Sequence, residues 1–425
     1  MHRYRLTVSQ RLLRLYILAM VKNFNPFPEP KKGKVRSALK KPAKSKTSGW
    51  KKVPYVRAKD AVQTQRMDRV AWKRKLADFL TPSDSALVKL LRQDHLLHDW
   101  AGRTCPRCQK GTLSKLQNKS GEGMPKHRCS RFGCQAYINP HHMHPIFVDG
   151  RGSGSTPLQT QAAMLFLLLN RVSHPAIHRI LHVNHKAIED MAKRLMTLRK
   201  HWVEEKEKTI IFGNSKQWID VEADEATFSS KDLKDMAQDA SKPIVWEQWC
   251  GIVARGHPQT LVLHRLNPLT SARRAPGPGA IRKLEWKPLA EKHLKNRKVV
   301  LHTDKAKSYK LKLPGILHDQ VRHCKKRVKV KGKWIWKMPT YVRVAKHKDP
   351  ETGKMITTKG GTQIIDRTWR FIKERLQLNQ SCKPGSSVLR TKLRSAQYEY
   401  WHRNSDLWVA CGTLCAWHNA KFKAC

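Results

Sequence analysis

Residues 216–228 read KQWIDVEADEATF, and their alternation of apolar and polar side chains predicts a β-strand. The second half of this strand carries acidic residues at positions 220, 222, 224 and 225. The chain as a whole has 85 Lys and Arg against 32 Asp and Glu, so a cluster of carboxylates stands out from its surroundings. We therefore expect this strand to supply the acidic part of a functional site.

A domain of strands and helices is predicted around this strand. Two more strands are expected at 247–256 and 259–266, joined by the tight turn RGHP, and a helix is expected at 286–296. A buried strand follows at 298–309, with Asp304 where its apolar run ends. Three strands, a helix, a fourth strand and later helices are the element order of an RNase H-like domain, so the expected fold class is α/β.

A helix at 361–376, GTQIIDRTWRFIKERL, places a further acid, Asp366, in a basic environment. In an RNase H-like fold, an acid on the first strand, one at the end of the fourth strand and one on a late helix approach one another. Converging carboxylates are the ligands of a two-metal site for phosphoryl transfer, in which the ions lie about 4 Å apart. The sequence thus predicts Asp224, Asp304 and Asp366 as catalytic residues that hold Mg2+ or Mn2+.

Each of these acids also has a purely structural interpretation. Asp220 competes with Asp224 because both lie on the same face of one strand. Asp304 is suited to capping the turn after its strand, and Asp366 is suited to pairing with Arg370 four residues later. The pattern of residues alone leaves these alternatives open.

The helix at 361–376 is predicted to be amphipathic. Its apolar stripe should pack on the sheet, which makes Trp369 a core residue rather than one that stacks on a base. Asp366 lies on the neighbouring face, with Arg370 and Lys373 one and two turns further on, and both cations are expected to contact DNA phosphates. The stripe consists of Ile365, Trp369, Ile372 and Leu376.

The formal net charge of +53 exceeds what solubility requires and predicts a polyanionic partner. Double-stranded DNA is the expected partner, because each phosphate neutralised by Lys or Arg releases condensed counterions, and a homo-oligomer is expected on it. A membrane surface is the second choice for so basic a chain. However, the longest apolar runs, at 162–169 and 15–20, are shorter than the roughly 20 residues of a membrane span, so no membrane partner is predicted.

Four of the ten cysteines form two hooks, CPRC at 105–108 and CSRFGC at 129–134. Two such hooks are typical of a zinc ribbon, in which two hairpin turns hold one tetrahedral Zn2+. Four thiolates complete a closed site, so this zinc is expected to stabilise the fold rather than to take part in catalysis. The predicted ligands are Cys105, Cys108, Cys129 and Cys134.

A pair of helices is predicted in SHPAIHRILHV and NHKAIEDMAKRLMTLRK, with a short turn near Val183 and Asn184. Ser173 and Asn184 are suitable N-cap residues. A short helix, a tight turn and a second helix with exposed basic residues are typical of a helix-turn-helix, whose second helix would enter the major groove with Lys186 near its leading end. An ordinary helical hairpin has nearly the same pattern, and both interpretations stay open.

The segment CKKRVKVKGKWIWK at 324–337 mixes cations with tryptophans. This composition predicts a DNA-contacting hairpin between the second and third acids, with Trp334 or Trp336 stacking on a base.

Several ordered motifs resemble those of the Merlin transposases and their bacterial insertion-sequence relatives, the ISXO-like group. VEADEATF resembles the first strand of that family, and HTDKAKSY resembles its second-acid motif. TQIIDRTWRFIK is similar to the helix of the third acid, and LHDQVRH at 317–323 is similar to a histidine pair before it. LRTKLRSAQYEYWHRN resembles the closing helix, and the zinc ribbon and helix pair stand where the family has them. The resemblance covers roughly residues 100–420.

This resemblance implies a DDE-type transposase, a metal-dependent enzyme that cuts at transposon ends and joins them to target DNA. It implies Asp224 rather than Asp220 as the first acid. The family usually has glutamate where this chain has Asp366, and histidine and asparagine where it has Gly361 and Gln363. Aspartate also binds Mg2+, but its shorter side chain requires the helix to lie closer to the metals. The alternative functions are a domesticated or decayed copy that only binds DNA and an RNase H-like nuclease.

The N-terminal region is predicted to be a tail rather than a domain. The block at 31–52 is basic, free of acids and interrupted by proline and glycine, so it cannot bury a core. Residues 1–28 have the composition of a mitochondrial presequence, but a basic helix leading into the tail is the preferred interpretation, and the nucleus is the predicted location. The predicted domains are a basic, largely disordered tail at 1–60, a helical segment at 61–100, a zinc ribbon at 101–145, a helix-turn-helix region at 157–203 and an RNase H-like DDE transposase domain at 210–425.

Overall fold

The computed structural model describes residues 49–55, 70–118, 123–150, 155–214, 216–228, 244–271, 277–330, 332–376, 378 and 382–421. All of them belong to one structural unit, Gly49–Cys425. The expectations for the presequence-like segment and for the basic block up to residue 48 lie outside the described residues. No helix in the described part of the chain combines the length and the hydropathy needed to cross a membrane.

The helices and strands are numbered in chain order. The helices are α1 (Ala77–Leu80), α2 (Asp84–Gln93), α3 (Leu158–Leu169), α4 (His174–Leu181), α5 (His185–Lys206), α6 (Lys283–His293), α7 (Gln363–Arg375), α8 (Ser387–Trp401) and α9 (Leu407–Ala420). The strands are β1 (His127–Arg128), β2 (Tyr137–Ile138), β3 (Ile219–Thr227), β4 (Ile244–Trp246), β5 (Gln248–Ala254), β6 (His257–Arg265), β7 (Leu269–Ser271), β8 (Val299–Thr303), β9 (Ile316–Gln320), β10 (Lys326–Val330), β11 (Lys333–Lys337), β12 (Arg343–Lys348) and β13 (Met355–Gly360).

Five strands form one mixed sheet in the order β6-β5-β3-β8-β9. β6, β5 and β3 pair antiparallel, whereas β8 pairs in parallel with both β3 and β9. The three predicted strands and the helix before the fourth are therefore confirmed, as is the mixed α/β class. The fourth strand is shorter than predicted, because β8 ends at Thr303 and Lys307–Lys310 form a 3-10 turn.

The sheet is buried on both faces. On one face, Val221 and Ala223 of β3 share a cluster with Trp286 of α6 and with Tyr309. The opposite face packs against α7 and α8, and the predicted apolar stripe of α7 lies in this second cluster. The stripe and the core position of Trp369, which is 5% exposed, are thus confirmed.

A separate helical core is formed by the helices that precede the sheet in the chain together with α9 and Tyr398 of α8, and α3 contributes most of its length to it. Eight of the twelve residues of α3 are buried, as expected for a helix that is apolar on all sides. Ser83 caps α2, because its side chain accepts a hydrogen bond from Ala86 N. The turn between α4 and α5 is tight, with His182 in the left-handed region, and Asn184 Oδ1 accepts from Lys186 N at 2.8 Å.

Two antiparallel hairpins, β10–β11 and β12–β13, lie in the chain between β9 and α7. They separate the predicted second acid from the third. The hairpin predicted at 324–337 corresponds to β10–β11 and is confirmed as a hairpin.

Candidate metal centres and nucleic-acid surface

The four predicted zinc ligands lie together beside the short strands β1 and β2. Cys105 Sγ lies 3.9 Å from Cys134 Sγ, and Cys108 Sγ lies 3.7 Å from Cys129 Sγ. All four sulfur atoms are within 4.8 Å of one another. Around a tetrahedral ion with Zn–S bonds of about 2.3 Å, neighbouring sulfur atoms are about 3.8 Å apart. The donor set and its spacing therefore fit one structural Zn2+, and the predicted cysteine cluster is confirmed.

Gly111 brings the backbone close to this cluster. Its N–H donates to Cys108 Sγ at 3.4 Å, and its carbonyl accepts from Cys105 N at 2.7 Å. A Cβ on Gly111 would lie 2.4 Å from Cys129 Sγ, so no side chain is accommodated there. The N–H groups of Gly111 and Lys110 lower the pKa of the Cys108 thiol to about 6, which favours the metal-binding thiolate.

The purified chain is expected to contain one zinc ion, and Cys105→Ser is expected to lose it and to unfold residues 100–145 locally. Structural zinc contributes about 10–16 kcal/mol of apparent binding free energy in small modules, which is lost with a ligand. Elemental analysis of protein purified without chelators, with limited proteolysis of this region, checks the prediction. Cys324→Ser removes an exposed cysteine outside the cluster and is the matched control. Wild-type protein free of zinc would contradict the assignment.

Asp224 and Asp304 belong to neighbouring parallel strands. In the β3–β8 pair, Glu222 lies opposite His302. Continuing this register by two residues sets Asp304, the first residue after β8, level with Asp224. The proximity of the first two predicted acids therefore follows from strand pairing.

Helix α7 brings Asp366 over the same edge of the sheet. Glu222 Oε2 accepts hydrogen bonds from the backbone N–H groups of Ile364 at 2.7 Å and Ile365 at 2.9 Å. A carboxylate in this position satisfies two of the free N–H groups of the helix and interacts favourably with its dipole. Because Glu222 is two residues from Asp224 on the same face of β3, α7 begins directly over the strand of the first acid.

Gly251 allows α7 to lie close to the sheet. This residue is directly opposite Asp224 on β5. A Cβ on Gly251 would lie 2.7 Å from the ring of Trp369 and 3.0 Å from Ile365 Cδ1. The absent side chain therefore permits the close helix position that the short side chain of Asp366 requires.

Arg255, in the turn between β5 and β6, holds the segment that precedes α7. Its Nε donates to Glu222 Oε1 at 2.6 Å, and its two terminal nitrogens donate to the carbonyl oxygens of Lys359 and Gly361. The Arg255 and Glu222 side chains are fully buried, and removal of one partner from such a pair is strongly destabilising. The network thus ties β3, the β5–β6 turn and the start of α7 together.

No pattern in the sequence indicates the role of Arg255, whereas Glu222 is recognisable as an acid that shares the face of Asp224. The same region also binds Tyr55, in the segment predicted to be a tail. The Tyr55 ring lies 5.1 Å from the Arg255 guanidinium and 4.6 Å from Lys359 Nζ, and its hydroxyl donates to Gln363 Oε1.

The carboxyl groups of the site influence one another electrostatically. Burial raises the pKa of Asp224 well above its usual range, and the charges of Glu225, Asp366 and Asp304 raise it further. The pKa of Asp366 is also raised, first by burial and also by Glu222 and Asp304. Asp366 is exposed at the surface, so water screens its charge more strongly than it screens the charge of Asp224. Repulsion of this kind is relieved by a bound cation.

Asp220, the competitor of Asp224, has a structural role. Its Oδ1 lies 2.9 Å from His302 Nε2 and accepts from Thr358 Oγ1 at 2.9 Å. Asp220 is 5% exposed, so these contacts occupy it inside the protein.

The structural alternatives for Asp304 and Asp366 differ in outcome, because Asp304 does cap its turn whereas Arg370 pairs with another residue. Asp304 Oδ1 does cap its turn, because it accepts from Ala306 N at 2.8 Å, and this uses one of its two oxygens. Arg370 donates to Glu374 at 2.9 Å, one turn after itself, so the structure gives it a partner other than Asp366.

The two histidines of LHDQVRH flank the acids. His318 Nε2 lies 2.8 Å from the hydroxyl of Thr303, the residue before Asp304. His323 Nε2 lies 3.1 Å from Thr362 Oγ1, which in turn donates to Asp366 at 3.3 Å. One histidine therefore contacts the segment of the second acid, and the other contacts the segment of the third.

The three cations predicted to bind DNA lie at the surface. Lys186, at the start of α5, is 75% exposed and pairs with Asp190 at 3.3 Å. Arg370 is 83% exposed, and Lys373 is exposed on the same helix as Asp366.

Comparison with known proteins gave no match to a protein-family model, to a curated protein or to a solved structure. The function is therefore inferred from the residues and the geometry of the chain itself.

Proposed function

We propose that the chain is a DDE-type DNA transposase that binds transposon ends and catalyses metal-dependent strand cleavage and strand transfer. The observation that carries this proposal is the convergence of three carboxylates from separate elements at one edge of the central sheet. They are Asp224 on β3, Asp304 directly after β8, and Asp366 on α7.

The sheet supports an RNase H-like domain as the framework of this site. In chain order, its strands are arranged third, second, first, fourth and fifth, with the first three antiparallel and the last two added in parallel. This is the arrangement expected of that fold, and α7 is its late helix. The resemblance to Merlin-type transposases rests on motifs at the same places: β3, the end of β8, and α7.

The donor set of the acids suits Mg2+ or Mn2+, which bind carboxylate oxygens and keep waters or phosphate oxygens as further ligands. Within the described part of the chain, the cysteine cluster is the only group of three or more ligands whose donor atoms all lie within 4.8 Å of one another. The three carboxylates do not form such a group. A two-metal site would not require all three carboxylates to bind the same ion.

The residues of the chain have distinct roles in the proposed reaction. Hydrolysis of a phosphodiester at the transposon end releases a 3′-hydroxyl, which then attacks a phosphodiester of the target strand and displaces the target 3′-oxygen. Arg370 and Lys373 would hold the phosphates beside Asp366. Glu222 positions α7, and His323 contacts Asp366 through the hydroxyl of Thr362.

We further propose that α4 and α5 are a helix-turn-helix whose second helix reads the transposon end. Lys186→Ala is expected to weaken binding to element ends more than binding to random duplex, because the leading end of α5 would contact base edges. Affinity for both DNAs should fall with salt with a log–log slope of about −0.9 per phosphate contacted. Fluorescence anisotropy over a salt series measures both effects.

Lys208→Ala, which removes an exposed lysine beyond the other end of α5, is the matched control and should affect both DNAs equally. If Lys186→Ala also weakened binding to element ends and to random duplex equally, α5 would have no role in recognising the transposon end.

A single assay tests the proposed activity. The protein is incubated with Mg2+, a labelled fragment of the genomic DNA that flanks its coding region, and a supercoiled target plasmid. Cleavage followed by joining to the plasmid is the expected result. Cleavage without joining would indicate a nuclease, and binding alone would indicate a copy that has kept only DNA recognition.

A further inference from the structure

The β10–β11 hairpin presents two chemically different faces. In its register, Arg327 lies opposite Trp336 and Lys329 lies opposite Trp334, so these four side chains share one face. Val328, opposite Ile335, lies on the other face. One side of the hairpin therefore combines two cations with two indoles, whereas the other combines aliphatic residues with lysines, namely Val328, Val330, Ile335, Lys326, Lys333 and Lys337. We call the first side, Arg327, Lys329, Trp334 and Trp336, the indole face.

The indole face is open to solvent. Trp334 is 58% exposed and Trp336 is 63% exposed, and all residues of β11 are exposed. The Arg327 guanidinium lies 5.2 Å from the Trp334 ring centre, so the cation and the indole are held side by side. Large exposed aromatic side chains of this kind mark binding surfaces.

The surrounding charge identifies a polyanion as the occupant. The sequence between Asp319 and Asp349 contains no acidic residue. Its cations are Arg322, Lys325, Lys326, Arg327, Lys329, Lys331, Lys333, Lys337, Arg343, Lys346 and Lys348. A cationic strip with interleaved aromatic rings suits a nucleic-acid strand, whose phosphates meet the cations while its bases stack on the rings.

The base of the hairpin adjoins the carboxylate site. Arg322 and Thr340 form an antiparallel bridge below the hairpin. The ring of His323 lies 5.4 Å from that of Tyr341, and His323 also contacts Thr362, which donates to Asp366. The base of the hairpin is therefore connected to Asp366 through His323 and Thr362.

The two tryptophans are neighbours on one face of β11. Residues two apart on a strand are about 6.7 Å apart, which is about twice the 3.4 Å spacing of stacked bases. A nucleotide strand that follows β11 can therefore present a base to either exposed indole. Stacked and paired bases of a duplex do not expose both faces, whereas an unpaired base does.

We propose that the indole face binds one unpaired nucleotide of the DNA strand next to the carboxylate site, with its base stacked on Trp334 or Trp336 and its phosphates on Arg327 and Lys329. This inference rests on the proposed function in that DNA is the substrate, but it makes a claim about binding alone. The site would make the chain prefer DNA ends that are locally open over fully paired ends.

The test measures binding of the full chain to two duplexes of the same sequence in EDTA, one fully paired and one with a single unpaired 2-aminopurine. Wild-type protein is expected to prefer the unpaired duplex and to quench its 2-aminopurine fluorescence. Trp334→Ala with Trp336→Ala should weaken binding to the unpaired duplex by about 5- to 150-fold, the equivalent of about 1–3 kcal/mol per stacked base. Trp334→Phe with Trp336→Phe should restore part of the preference.

Ile335→Ala is the matched control, because Ile335 is 48% exposed on the same strand but on the opposite face. It should leave the preference unchanged. Equal affinity of wild-type protein for both duplexes, or equal effects of the indole and Ile335 variants, would overturn the proposal. Because no metal or cleavage is involved, preference for the unpaired duplex without catalysis would reject the transposase activity and keep the indole face, whereas transposition without that preference would do the opposite.

Discussion

Asp224→Asn and Asp304→Asn are each expected to abolish strand cleavage while leaving DNA affinity unchanged. Asp224 lies within β3 and Asp304 directly follows β8, the strand that pairs in parallel with β3, and a neutral amide at either position cannot replace an anionic metal ligand. Loss of a single hydrogen-bond donor at a reacting centre costs about 10²–10³ in rate, and loss of a metal ligand should cost at least as much. Cleavage and anisotropy assays with one protein preparation separate the two effects.

Thermal unfolding adds a second measurement on the same variant. The pKa of Asp224 is raised in the folded protein by burial and then by neighbouring carboxylates. A group with a raised folded pKa lowers stability as pH rises from its unfolded pKa toward its folded pKa. Metal-free Asp224→Asn should therefore melt at a higher temperature than wild type at neutral pH, and this advantage should shrink in acid.

Asp220→Asn is the contrasting variant. Because Asp220 contacts His302 and Thr358 inside the protein, its replacement should lower thermal stability but leave cleavage intact at a permissive temperature. If Asp220→Asn abolished cleavage in folded protein and Asp224→Asn did not, the assignment of the first acid would be wrong.

Asp366→Glu is expected to lower cleavage by about a hundredfold. The added methylene moves the carboxylate outward by about 1.5 Å, whereas a productive site tolerates about 0.5 Å, and a 1 Å misplacement costs about 10²-fold. The structural reason is Gly251, which lets α7 lie close to the sheet and so suits the shorter acid. Cleavage assays in Mg2+ and Mn2+ measure the loss.

The Gly251→Ala variant tests that reason directly. The added Cβ would lie 2.7 Å from Trp369 and should displace α7 outward, so the Asp366 carboxylate would no longer reach the proposed metal ions and activity should fall. In the double variant Gly251→Ala with Asp366→Glu, the longer side chain should recover part of the activity. Glu374→Gln, an exposed charge removal on the same helix, is the control. If the wild-type protein were inactive and Asp366→Glu alone made it active, the chain would be a decayed copy and not a working enzyme.

Local patterns predicted the elements that depend on local physics. The alternation in β3, the apolar run of β8 and the stripe of α7 are periodicities, and burial of those side chains follows from them. The cysteine cluster was predictable because hook spacing constrains where four sulfur atoms can lie.

The contacts that position the acids were not predictable in this way. Glu222 meets Ile364 across 142 residues, and Arg255 meets Gly361 across 106. Nothing in the local pattern of either segment specifies its partner, since such pairing is set by the packing of the whole domain. The contact of Gly251 with Trp369 was not predictable for the same reason, because a glycine in a strand does not indicate which distant aromatic ring will pack on it.

The long separation of Glu222 from the start of α7 also sets the order in which the site can be completed during synthesis. The ribosome produces the cysteine hooks, the helix pair, β3 and β8 before it reaches Gln363, where α7 begins. Until then the carboxylate of Glu222 has no backbone N–H groups of α7 to bind, and Asp224 and Asp304 are present without Asp366. A chain interrupted in this interval would also lack α8 and α9, which complete the core around α5, so the helix pair and the carboxylate site both depend on the last segments to be made.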